Sequence, residues 1–141
     1  GIPTFAPEHF SRVSPRDSMK RKQFIKGINE IAKEGAIQIF QEYNTGMEEI
    51  IVGVVGVLQF DVLKYRLENE YNVEIRLENL PYEYIRWIEN EEIDLDKLTG
   101  TSDMKKVKDL KGRPLLLFVN EWSIRMTVDR NEGLRLTEFG K

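Results

Sequence analysis

Between His9 and Glu78 the apolar residues switch between strand and helix spacing in a fixed order, and this order restricts the fold more than any other feature of the chain. His9 to Val13 suits a short strand. Phe24, Ile25, Ile28, Ile31 and Ala32 then recur at helical intervals, with Lys20, Arg21, Lys22, Lys26, Glu30 and Lys33 on the remaining faces. Ser14-Pro15 and Asp17-Ser18 both offer helix-start chemistry, so the helix should begin between them, and Gly35 should close it in the left-handed region. Ile37 to Glu42 and Glu49 to Val55 are rich in β-branched residues, and the turn formers Asn44 and Gly46 between them predict a hairpin. Leu58, Phe60, Leu63, Leu67 and Tyr71 restore the helical spacing, and Val73 to Glu78 alternates strictly.

Strand, helix, strand, strand, helix, strand is the order of the split βαβ unit. The predicted fold class is therefore α+β: a ferredoxin-like βαββαβ sandwich over about residues 9–78, its antiparallel sheet carrying two helices on one face. Residues 79–141 form a C-terminal α/β extension. Tyr82 to Ile88 reads as a strand, Glu89 to Lys111 as a polar stretch, and Leu115 to Val119 as a short buried strand. A helix over Glu121 to Asp129 and a last strand over Leu134 to Glu138 should follow, and together these elements extend or flank the sheet.

The residue inventory excludes much catalytic chemistry. The 141 residues, one domain's worth, include no cysteine and one histidine, which removes disulfides, thiolate nucleophiles, Cys-based zinc sites and His-pair metal frameworks. A P-loop, in which backbone amides and a lysine converge on phosphates, is missing. Gly53 and Gly56 lie three apart among apolar residues and suit strand packing and a strand-to-helix corner. His9, beside Phe10, reads as a surface or strand-edge residue. Arg12 and Arg16 near the first strand-to-helix loop could hold a phosphate, as in a small acylphosphatase-like hydrolase, but no matching loop is visible. The apolar runs Ile50 to Leu58 and Leu115 to Val119 fall far short of the roughly 20 residues a membrane-spanning helix needs. A chain opening at Gly1 without an initiator methionine reads as a piece of something longer, and a cytoplasmic origin is expected.

Charge is informative only when resolved along the chain. The formal net charge is −3, from 21 basic and 24 acidic side chains, so there is no global basic field. Ser14 to Lys33 nevertheless holds six basic and two acidic residues, and Lys105 to Arg113 holds five basic and one acidic. The acidic run Glu89, Glu91, Glu92, Asp94 and Asp96 lies between them and suits a solvated face, since it has no EF-hand pattern. Basic side chains on one helix can neutralise phosphates. Base stacking on the sheet is disfavoured, because the third strand, Ile50 to Val55, has no aromatic residue.

Gly1-Ile-Pro-Thr-Phe-Ala-Pro-Glu8, Glu34-Gly-Ala-Ile-Gln38, and above all the run from Val52 to Leu63 with Arg66-Leu67 and Glu70-Tyr-Asn-Val-Glu74, carry a family likeness. The chain resembles the C-terminal domain (domain III) of the bacterial peptide chain release factor 3 family, translational GTPases, and more distantly the third domain of elongation factor G. The likeness is dense to about Trp87, weak across the acidic and lysine-rich stretch, and resumes at Asn120-Glu-Trp122 and Leu136-Thr-Glu138. It implies a ribosome-binding domain of a termination GTPase that promotes dissociation of class I release factors after peptide release. GTP or GDP and Mg would belong to an N-terminal G domain which, with a β-barrel domain, is absent from this chain. No cofactor and no enzymatic activity are then expected of the fragment. Expected partners are small-subunit RNA and protein and the chain's own G and β-barrel domains, with no membrane, and the domain itself is expected to be a monomer. Lys20, Arg21, Lys22 and Lys26 are the first candidates for ribosome contact, and Lys105, Lys106, Lys108 and Lys111 the second. The Val52 to Leu63 run, Trp87 and Trp122 are read as packing. The fold order alone leaves one alternative, a ferredoxin-like small-molecule-binding regulatory domain that dimerises through sheet edges.

Overall fold

The computed structural model describes residues 6–43 and 50–138, so the expected Asn44 to Gly46 turn lies outside the described residues. The first unit holds β1 (His9–Pro15), α1 (Arg21–Lys33), β2 (Gln38–Glu42), β3 (Ile50–Val54), α2 (Leu58–Glu70) and β4 (Ile75–Leu80). After it come β5 (Tyr84–Ile88), β6 (Lys105–Asp109), β7 (Pro114–Phe118), α3 (Glu121–Arg130) and β8 (Leu136–Thr137). The strands form one sheet in the order β4-β1-β3-β2-β6-β7-β5-β8, every neighbouring pair antiparallel. Its first four strands are the ferredoxin-like unit read from the sequence. The extension continues the same sheet from the outer edge of β2.

Local chemistry sets the element ends. Asp17 accepts a hydrogen bond from the Met19 N–H at 2.9 Å and opens a 3-10 turn over Ser18–Lys20, so α1 begins at Arg21, later than the Ser14 to Ser18 signals suggested. Gly35 closes it with φ of 89°. Asn72, at φ 56°, ends α2, and the Val73 N–H returns to the Leu67 carbonyl at 2.9 Å, so one left-handed residue turns the chain into β4. Asn120 caps α3 by accepting from the Ser123 N–H at 2.9 Å.

Cross-strand register separates the faces. Val13, Ile39, Ile50, Val52, Val54 and Ile75 point toward the helices and pack on Phe24, Ile28 and Ile31 of α1 and Phe60, Leu63 and Leu67 of α2. Phe10, Phe40 and Ile51 face the other way, in one cluster with Ile85, Trp87, Val107, Leu115 and Leu117 of the extension. Phe10 of β1, second from one edge of the sheet, shares this cluster with Ile85 and Trp87 of β5, second from the other edge, so the sheet curls until its second half closes over the back of its first. A third cluster, Leu95, Leu98, Leu116, Phe118 and Leu134 with Ile124 of α3, covers the outside of the extension.

Two sequence expectations need correction, and the polar stretch Glu89 to Lys111 contains β6 and a 3-10 turn at Leu95–Lys97. Lys105-Lys-Val-Lys-Asp109 has one fully buried apolar residue, Val107, and its lysines satisfy themselves with polar and aromatic partners, which hid the strand. Trp122 is 53 % exposed and is not a packing residue, whereas Trp87 is buried. The Val52 to Leu63 run is core on one side only. Val52, Gly53, Val54, Phe60 and Leu63 are buried, but Val55, Val57, Leu58 and Val62 are exposed.

Candidate functional site

Helix α1 carries the first basic group. Arg21, Lys22 and Lys26 are exposed and Lys20 is half-buried at the entry turn. Lys22 and Lys26 stand one turn apart and so share a face. No acidic side chain occupies the first turn of α1. Positive residues at the positive end of a helix dipole cost helix stability, about 0.3–1 kcal/mol each. Helix stability therefore does not explain their placement, which instead adds to the positive potential of that helix end.

The second basic group is dispersed. Lys105 points to the inner face and lies 3.5 Å from Glu42, while the Lys106 ammonium donates to the Leu95 carbonyl at 2.5 Å. Lys108 sits over the Tyr43 ring, 5.1 Å from its centroid. Lys111 is exposed in the β6–β7 turn, where Asp109 accepts from the Lys111 and Arg113 N–H groups. Lys111 and Arg113 line a shallow groove with Ala32 and Ile37, at the C-terminal end of α1. Since a 13-residue helix is about 20 Å long, Lys111 at the C-terminal end of α1 stands well away from Lys20 and Arg21 at its start.

Arg12 is not available to hold a phosphate as an open cation. It bridges Glu42 and Glu78, and those partners, Glu42 foremost, hold its guanidinium protonated well above its ordinary range. Arg16 is exposed, its backbone N–H bonded to the Glu74 carbonyl. His9 is exposed at the start of β1. In the acidic run, Asp94 caps the Leu95–Lys97 turn, and Glu92 and Asp94 share a groove with Lys97 and Arg130.

GTP, GDP and Mg, implied by the family resemblance, do not fit this chain's residues. Its sequence has no P-loop, and among the described residues no three His, Asp or Glu side chains converge to hold a metal ion. No helix among the described residues is long and apolar enough to cross a membrane. Sequence reasoning missed one surface feature, the outward apolar side of α2 and the loop before it. A signal was present, since Val55, Val57, Leu58, Phe60, Val62 and Leu63 are more apolar residues than a single buried stripe requires.

The chain is thus a curled α+β block whose ferredoxin-like unit is extended by four strands, with a basic end on its first helix. The family model for the class II release factor RF3, C-terminal domain, matches residues 1–128, and the chain belongs to this family of translation-termination factors. It is 48 % identical over 134 residues to a peptide chain release factor 3 of Symbiobacterium thermophilum, an alignment covering 95 % of this chain and 25 % of the relative. Proteins of the same name from Lactobacillus acidophilus and Listeria welshimeri serovar 6b are 42 % and 43 % identical, with 97 % and 98 % of this chain and 25 % and 26 % of the relatives covered. The chain spans about a quarter of the length of the curated relatives it matches.

Proposed function

We propose that this chain is the ribosome-contacting domain of a cytoplasmic termination GTPase that promotes dissociation of class I release factors after peptide release. GTP, GDP and Mg belong, in this reading, to a G domain elsewhere in the parent polypeptide, and the domain itself performs no chemical step. The observation that carries the reading is the family match over residues 1–128, joined to a physical feature of this chain, the exposed basic start of α1. The long-range antiparallel pairing of all eight strands makes the block stiff. A stiff block that contacts two ribosomal states unequally shifts their populations without chemistry of its own.

Lys20, Arg21, Lys22 and Lys26 form the primary contact, with small-subunit RNA or protein, and Lys108 and Lys111 are the exposed members of the second group. The test is to change the four α1 residues to Glu in the full-length factor and measure ribosome-dependent recycling of a class I release factor across a salt series. Recycling should fall at every salt concentration, and the salt dependence of binding should flatten as phosphate contacts are lost. Unchanged recycling throughout the series would remove the α1 assignment.

A further inference from the structure

Exposed apolar residues are usually scattered singly over a domain surface. Here Val55 is 49 % exposed, Val57 56 %, Leu58 74 %, Val62 55 % and Tyr65 67 %. Leu58, Val62 and Tyr65 fall at i, i+4 and i+7 of α2, opposite the core residues Phe60, Leu63 and Leu67, so they form one outward stripe. Val55 and Val57 extend it into the β3–α2 loop. Beside this lip lies a groove of about 900 Å³ with Val57, Phe60 and Tyr82 among its apolar lining and Glu8, Asp61 and Glu83 among its acids.

The path of the chain points to the occupant. The Glu8 N–H bonds to the Val54 carbonyl at 2.9 Å, and Pro7 lies so close over Gly53 that a Cβ there would come within 2.8 Å of it. The polypeptide therefore enters the fold at the end of β3, the end from which Val55, Val57 and Leu58 project. The matched family is a C-terminal domain, and this chain covers only 25 % of the Symbiobacterium relative, so most of such a protein precedes this point.

We propose that the Val55–Val57–Leu58–Val62 lip and the adjoining groove are the surface on which the preceding part of the parent polypeptide docks. This rests on the reading of the chain as one domain of a longer factor. The docked surface is apolar with lysine or arginine at its rim, complementary to Glu8, Asp61 and Glu83. A covalently connected partner is present at high effective concentration, so a modest apolar patch is enough to hold it.

The cysteine-free sequence allows a direct test. Leu58→Cys and Val62→Cys are made in the 141-residue chain and in the full-length factor, with Lys26→Cys as an exposed control. Maleimide labelling at each site is followed by peptide mass, without ribosomes. Positions 58 and 62 should label at least tenfold more slowly in the full-length factor than in the 141-residue chain, while position 26 labels equally in both. Equal rates at 58 and 62 would overturn the proposal. So would protection in the 141-residue chain that grows with its concentration, because the occupant is then a second copy. Protection that appears only when ribosomes are added would also overturn it, while leaving the ribosome-contact reading intact. Protection without ribosomes in a factor whose α1 Glu variants recycle normally would support docking even as the α1 assignment fails.

Discussion

Arg12 reaches across β3 to Glu42, donating to the same carboxylate oxygen through Nη2 at 2.6 Å and Nε at 3.1 Å, and its remaining amino group bonds to Glu78 of β4 at 2.9 Å. One side chain thus spans four neighbouring strands on the face over which the sheet curls. Glu42 is 8 % exposed, so losing Arg12 takes a bidentate cation from a nearly buried carboxylate, with Lys105 at 3.5 Å. Arg12→Leu should cost about 2–4 kcal/mol in urea unfolding, while the double change Arg12→Leu with Glu42→Leu should recover much of it, because an apolar pair leaves no unpaired charge. A single-variant loss below about 0.5 kcal/mol would show the pair to be dispensable.

The two glycines of the Val52 to Leu63 run should respond differently. An added Cβ at Gly53 meets Pro7 at 2.8 Å and the Phe10 ring at 3.1 Å, whereas at Gly56 nothing lies within 4 Å. Gly53→Ala should destabilise by about 1–3 kcal/mol through overpacking, and Gly56→Ala should stay within about 0.5 kcal/mol of the parent. Thermal melts of both variants decide the matter. Close packing on the strand therefore calls for glycine at Gly53, while the strand-to-helix corner at Gly56 leaves room for a side chain.

Helix packing gives a third comparison. Gly27 of α1 faces α2, where a Cβ would lie 2.8 Å from the Leu67 side chain and from the Tyr71 ring. Alanine is about 1 kcal/mol better than glycine within a helix, but here it drives the two helices apart. Gly27→Ala should lower the melting temperature despite its higher propensity. A rise would mean that α2 yields without cost.

Tyr71 supplies a pH dependence. Its hydroxyl donates to Glu30 at 2.5 Å, and that hydrogen bond, together with burial and nearby acids, raises its pKa above the usual value of 10.0. A raised folded-state pKa means that the folded protein holds the proton more tightly than the unfolded chain. The contribution is complete below pH 10 and is lost as pH rises through the folded-state pKa. Melting temperature should fall above pH 10 in the parent and fall less steeply in Tyr71→Phe. Identical alkaline slopes would show that Tyr71 is not coupled to folding.

Much of this fold can be read from residue spacing because the first unit obeys simple periods. Phe24, Ile28 and Ile31 sit on one helix face, and Val73 and Ile75 alternate with exposed neighbours, so pattern and burial coincide. β6 has no such pattern, since Lys105, Lys106 and Lys108 find Glu42, the Leu95 carbonyl and the Tyr43 ring only after distant segments have come together. The same dependence explains why Lys105 to Lys111 looked like one basic patch. Residues adjacent in sequence alternate between the two faces of a strand, which linear charge counting does not register. The basic start of α1 was legible because neighbouring residues on a helix surface are also near each other in sequence.

Phe40 and Glu42 of β2 pair with Asp109 and Val107 of β6, and this short ladder joins the ferredoxin-like unit to its extension. A cut near residue 78 would leave β2 with an open row of amides and carbonyls, and would strip the cover from Phe10, Phe40 and Ile51. The remaining fragment would be a template for intermolecular strand pairing rather than a smaller working domain. Insertions and fusions belong elsewhere: the point where the spacing pattern changes is not a place where the molecule can be divided.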